Sequence, residues 1–270
     1  RAEYAKNSLV LHKLGLVGHD FDLLAEIVAL YTSGIGGFYD PSTRELNLIV
    51  ESGSRDPQME MQDRLLRMQF GVGNDEMNIA HELTHALDDQ HFDLLNLVDL
   101  TKMNSDQVLA RTATVETTAV SVQYDFLMQR TRQLSFQSPM TRQMTSSRPG
   151  REGIPGAGGM PNCLVQQIAF PYAMGNRLGF EIRRRNNGSW EGINQLFEDL
   201  PASSEQILHP EKYLDERDDP VILNFPEDVA THLGEGWEEI GRETMGQFFM
   251  WCYLEEMFAN RRSSRRLAQQ

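Results

Sequence analysis

The sequence predicts an α+β chain that is mostly helical, with a small β-sheet beside one central helix. Three observations carry this reading. Apolar residues recur at helical spacing over long stretches, at Phe21–Tyr31, Asp106–Arg132, Cys163–Arg185 and Glu238–Arg262. Strand-like runs are few and short, at Phe38-Tyr39 and at Glu45–Val50. Between them and the second long stretch lies Ile79–His91, which contains H-E-x-x-H and nothing up to Gln90 that breaks a helix.

Composition narrows the function. The chain has 270 residues, 40% of them hydrophobic, enough for a sizeable core, and we read 1–270 as one domain. A net charge of −14 argues against a nucleic-acid partner, which wants clustered Lys and Arg. It equally disfavours adsorption to anionic lipid. There is no apolar run of about 18 residues, so no transmembrane helix is expected. Oligomeric state is not legible. The chain opens Arg1-Ala-Glu-Tyr4, which reads as a processed or excised segment. Two cysteines, Cys163 and Cys252, are too few for a cysteine-based zinc site.

Taken in order, Asp20 is a plausible cap for the helix at Phe21–Tyr31, and Gly34, Gly36 and Gly37 end it. The two strands are joined by a turn at Asp40-Pro41-Ser42-Thr43, a hairpin able to offer an edge to an extended peptide. A short helix is expected at Met59–Phe70, and the long helix Asp106–Arg132 follows the H-E-x-x-H segment. Residues 135–162, rich in Ser, Pro, Gly, Arg and Met, read as a flexible loop. Pro171 must start, kink or interrupt the helix at Cys163–Arg185. Ser189 caps a short helix to Leu200, Pro201–Pro220 is irregular, Val221–Phe225 reads as a strand, and Glu238–Arg262 closes the chain as a helix.

On a helical wheel with His81 at zero, His85 falls at about 40°, Glu82 at about 100°, and Ile79, Leu83, Ala86 and Leu87 at about 140–240°. One side is expected to pack on a core while two imidazoles stand together on the other. Histidines at i and i+4 can share one Zn²⁺, and the glutamate between them can act as base toward a water. Two residues compete for the third protein ligand. His91 sits where the metzincin pattern has its third histidine, but that pattern needs a left-handed residue at position 88, which here is Asp, not Gly. If the helix continues, His91 points to about 280°, away from the pair. Glu116 lies mid-way on a helix face flanked by Val108, Val115, Ala119, Val122 and Phe126 on one side and Leu109, Ala113, Val120 and Leu127 on the other. An ionised carboxylate buried there costs several kcal/mol unless compensated, and a divalent cation is the simplest compensation. We take Glu116 as the third ligand, beside His81 and His85.

The stretch from His81 to Phe92, followed by Ala110-Arg-Thr-Ala-Thr-Val-Glu116, resembles the gluzincin-type bacterial zinc metallopeptidases. Similar segments are Gly37–Leu46, Phe170-Pro-Tyr172 and Ser203–Tyr213, so the likeness runs from about residue 34 to 215, and more weakly to about 258. It implies a zincin-like fold, one Zn²⁺ on His81, His85 and Glu116, Glu82 as base, and a peptide or protein substrate. One departure is that Glu116 is followed by Thr117-Thr118-Ala119-Val120, where gluzincins often place an acidic residue that orients a histidine. Asp88 can take that role. The resemblance also implies a secreted, periplasmic or cell-envelope enzyme. In such a compartment Cys163 and Cys252 could form a disulfide, the alternative being two buried apolar side chains.

The expected reaction is metal-assisted peptide hydrolysis, the alternative a zincin-like scaffold that keeps metal and turns over nothing. An intact Glu82 speaks against the scaffold. A donor to the developing oxyanion is also expected, for which His209 and Tyr213 are the candidates, with Tyr172 a third. The plainer alternative is that His209 and Tyr213 tie down a long loop.

Overall fold

The computed structural model describes residues 2–34, 36–49, 57–99, 102–131, 159–224, 226, 229–239 and 242–267. They form α1 (Ala2–Lys13), α2 (Leu23–Gly34), β1 (Gly37–Asp40), β2 (Glu45–Leu48), α3 (Pro57–Phe70), α4 (Asn74–Phe92), α5 (Leu94–Leu97), α6 (Ser105–Thr131), α7 (Asn162–Arg185), α8 (Glu191–Glu198), α9 (Ser204–Leu208), α10 (Glu211–Leu214), α11 (Val229–Leu233) and α12 (Gln247–Leu267). The architecture is mostly helical α+β, and its sheet is one antiparallel pair, β1 with β2. The loop expected over 135–162 lies outside the described residues except for 159–162.

The centre of the fold is the packing of α6 on α7. Small residues make it possible. A Cβ on Gly175 would stand 2.5 Å from the Ala113 carbonyl oxygen, and one on Gly179 would stand 2.6 Å from Ser121 Oγ. The Thr117 hydroxyl donates to the Ala113 carbonyl at 2.7 Å and to the Gly175 carbonyl at 3.1 Å, so the two backbones are joined where they come closest. Leu178, Ile182, Ile193, Leu196 and Ile207 are buried around this seam, with Phe248 of α12 closing it. Each such side chain contributes on the order of 1.5–3 kcal/mol by leaving water. Pro171 sits within α7 without ending it. Arg183 is buried at the far end of α7, where it donates to Asp125 Oδ1 at 2.8 Å and lies 4.2 Å over the Trp190 ring.

Several boundaries differ from expectation. α1 carries no strong apolar periodicity and was not anticipated. Asp22, not Asp20, caps α2, accepting from the Ala25 N–H at 3.1 Å. Val221–Asn224 form no strand and are exposed, while Phe225 lies outside the described residues. The 201–220 segment contains the short helices α9 and α10. The last helix starts at Gln247, not Glu238, because Gly246 is pressed against the Asp106 carboxylate and the chain enters the helix from there. Cys163 and Cys252 are separate buried thiols, not a disulfide, and burial pushes the Cys163 thiol up to about 11.

The largest difference concerns α4. Its apolar stripe does not face the core: Leu83 is 52% and Leu87 54% exposed. The opposite face, with His81, Thr84, His85, Asp88 and Asp89, is the buried one. That face turns toward α6, and the β1–β2 hairpin also packs on α4.

Candidate metal centre

α4 is fixed at both ends. At its start the Glu76 carboxylate accepts the Gly73 N–H at 2.9 Å and the Arg67 guanidinium at 2.9 Å, while Asp63 Oδ1 accepts the Asn74 N–H at 2.7 Å. At its end Asp93 adopts a left-handed conformation, φ 52°. The left-handed residue therefore falls after His91, not at Asp88. The helix carries His91 around to an exposed position against Phe92, away from the histidine pair. His91 is not in the centre.

Three ligand-type atoms converge in the buried space between α4 and α6. His81 Nε2 is 3.0 Å from His85 Nε2 and 3.0 Å from Glu116 Oε2, and His85 Nε2 is 3.7 Å from the same oxygen. A tetrahedral zinc with bonds of about 2.0–2.1 Å spaces its ligand atoms about 3.3 Å apart, inside that range. The chemistry of the donor set agrees. Two imidazole nitrogens and a carboxylate oxygen point at one spot, where a single divalent cation satisfies all three and a proton satisfies only two. His81, His85 and Glu116 are the one such cluster of metal-binding side chains among the described residues.

The electrostatics follow from burial. Glu116 is 7% exposed. Burial raises its carboxyl pKa, but the His81 and His85 rings outweigh that and hold it down at about 2. Burial depresses His85, yet Glu116, Glu82 and Asp88 together raise it. Asp88 is pushed up to about 7 by burial, against the pull of His85 and of the Thr118 hydroxyl. Asp88 thus acts on His85 through its charge. The expected hydrogen bond from a histidine N–H to Asp88 is not formed: Nδ1 of both His81 and His85 is buried with no hydrogen-bond partner among the described residues.

Glu82 sits on the hairpin side of α4, and its Oε2 accepts the Tyr39 N–H at 2.9 Å. Tyr172 of α7 lays its ring over His81, centroids 6.0 Å apart and planes at 29°, and is 49% exposed. The other two donor candidates make their contacts in the loop that follows α8 and at the start of α12. His209 Nε2 lies 3.1 Å from Gln247 Nε2 and its Nδ1 3.5 Å from Glu211 Oε1, while the Tyr213 hydroxyl donates to the Asp199 carbonyl. The physical reason is where α9 docks. The Ser204 N–H donates to Asp106 Oδ2 at 3.0 Å, at the start of α6, and Glu116 lies about 15 Å further along that helix. His209 and Tyr213 tie down the loop and do not join the cluster.

Compared with known proteins, the chain matches no family model, no curated protein and no solved structure.

Sequence reasoning missed two residues here, Tyr39 and Asp89. The Tyr39 hydroxyl donates to Asp89 Oδ2 at 2.8 Å, and Asp89 is 7% exposed. The available signal was Asp89 itself, an acidic residue on the helix face that carries the histidines. Among the described residues no helix is long and apolar enough to cross a membrane.

Proposed function

We propose that this chain is a zinc-dependent metallopeptidase of zincin-like architecture. The observation that supports it is the convergence of His81, His85 and Glu116 at tetrahedral spacing, one residue away from a glutamate on the same helix. Two nitrogens and one oxygen leave a fourth position open, the ligand count of catalytic rather than structural zinc. When bound, the zinc supplies Lewis-acid polarisation of the scissile carbonyl and lowers the pKa of a water toward 7.

The protein's own groups do the rest. His81, His85 and Glu116 hold the ion. Glu82 takes a proton from the attacking water on its carboxylate and returns it to the leaving amine. Tyr172, half-exposed with its ring against His81, is our candidate to donate a phenolic hydrogen to the oxyanion. The Leu83–Leu87 face of α4 takes no part, since it points away from the ligand face.

A fluorescence-quenched peptide assay with parallel zinc quantification tests the reading. The wild-type chain is expected to cleave, to stop with a chelator and to recover with zinc. Glu82→Gln is expected to keep its zinc and lose about 10²–10⁴-fold in turnover. Zinc bound without hydrolysis in the wild type would make the chain a metal-containing scaffold.

A further inference from the structure

We propose that Tyr39 is the positioning residue for Glu82, gripping α4 at two points from the neighbouring strand. The kinetic part of this inference rests on the hydrolytic reading above; the structural part does not.

The register of the hairpin sets up the grip. Ile49 N–H donates to the Gly36 carbonyl at 3.0 Å and Arg44 N–H to the Asp40 carbonyl at 2.7 Å, with Phe38 opposite Asn47. Even-numbered residues of β1 therefore bond across to β2, and the Tyr39 N–H is left on the outer edge. There it meets Glu82 Oε2 at 2.9 Å. The Tyr39 side chain leaves the strand toward the same helix and donates to Asp89 Oδ2 at 2.8 Å. Glu82 and Asp89 are seven residues apart, two helical turns, so they lie on nearly the same face about 10 Å apart along the axis. One tyrosine spans that distance by its backbone at one end and its phenol at the other.

Asp89 is a fixed anchor. Its second oxygen accepts the Leu94 N–H at 3.0 Å, where the chain leaves α4 through left-handed Asp93. The Arg44 guanidinium stands 3.9 Å from Oδ2. With both oxygens engaged and the group buried, Asp89 holds the phenol, the phenol holds the strand, and the strand holds Oε2 of Glu82. Oε1 has no hydrogen-bond partner among the described residues, and we take it as the oxygen that receives the proton. A glutamate has three rotatable side-chain bonds, and an error of about 1 Å in a catalytic group costs about 10²-fold in rate. Pinning one oxygen with a backbone donor removes most of that freedom.

The test uses the zinc-loaded full chain with selective ¹⁵N labelling at residue 39. In the wild type the residue 39 amide is expected to exchange slowly. In Glu82→Ala and in Tyr39→Phe it is expected to exchange about 10-fold faster or more, because the acceptor or the anchor is gone. Tyr39→Phe is further expected to lower kcat about 10-fold with KM within about 2-fold and zinc content unchanged. Asp89→Asn keeps an acceptor for the Leu94 N–H and serves as the second variant should Tyr39→Phe fold poorly; it is expected to change exchange and kcat in the same direction. An amide equally protected in all variants, or a loss confined to KM or thermal stability, overturns the proposal. If the wild type turns over no peptide, the hydrolytic reading falls, and the exchange result alone still decides the grip.

Discussion

The Glu116 carboxylate stands 3.0 Å from Nε2 of His81, reaching across from the middle of α6 to the buried face of α4. That contact is why Glu116 is proposed as the third ligand. Glu116→Ala is expected to weaken zinc binding by about 10²-fold or more in a competitive chelator titration, because it removes a charged ligand from a buried site. His91→Ala is expected to leave affinity within about 2-fold, since the helix carries that side chain to the surface.

The three donor candidates separate by kinetics. Tyr172→Phe is expected to lower kcat about 10-fold or more with zinc content unchanged, because the proposed mechanism draws its oxyanion donor from this phenol. His209→Ala and Tyr213→Phe are expected to leave kcat within about 2-fold and to cost about 0.5–1.5 kcal/mol of stability, from the loop hydrogen bonds lost. Steady-state kinetics and urea melts on the three variants separate these outcomes.

Asp88 gives a pH dependence with a definite sign. Its folded-state pKa is raised to about 7, above the value of about 3.9 in an unfolded chain. A carboxyl raised on folding costs nothing below the unfolded pKa, and its cost grows as pH rises to about 7, then levels off. In chelator-treated protein, the stabilisation of Asp88→Asn over wild type is therefore expected to be near zero at pH 4 and at most a few kcal/mol at pH 8. Zinc should shrink the difference, because a nearby cation favours the charged form. Thermal melts from pH 4 to 8, with and without zinc, check it.

The α6–α7 seam makes a prediction about stability alone. Gly175→Ala places a methyl 2.5 Å from the Ala113 carbonyl oxygen, against backbone that cannot yield. The expected cost is about 1–3 kcal/mol, with α6 displaced and Glu116 carried with it. Zinc affinity should fall along with the melting temperature. A Gly175→Ala protein with unchanged melting temperature would mean that the helices are not held this close.

How much of this was legible in the sequence depended on whether a signal was local. Glu116 could be read because a carboxylate amid apolar neighbours on one helix face requires a partner wherever the helix packs. The His81–His85 pair and the continuation of α4 past Asp88 were equally local. The orientation of α4 was read the wrong way round. Leu83 and Leu87 form a proper apolar stripe, but His81 and His85 meet Glu116, so the polar face is the one that turns to α6. His209 and Tyr213 have the right chemistry for a donor, yet their place is set by Ser204 docking on Asp106, a contact between distant segments that spacing does not reveal. The role of Tyr39 depends likewise on strand register, which put its N–H on the outer edge. Gly175 and Gly179, four residues apart on one face of α7, set the distance between α6 and α7, but their spacing does not name the helix that packs against them.

Zinc titration into chelator-treated protein, followed by hydrolysis of a quenched peptide, tests the central claim most directly. The account predicts a rate that starts near zero, rises in proportion to added zinc and breaks sharply at about one equivalent per chain, as expected for a single site on His81, His85 and Glu116. A rate that is independent of zinc, or no hydrolysis at any zinc level, would contradict it.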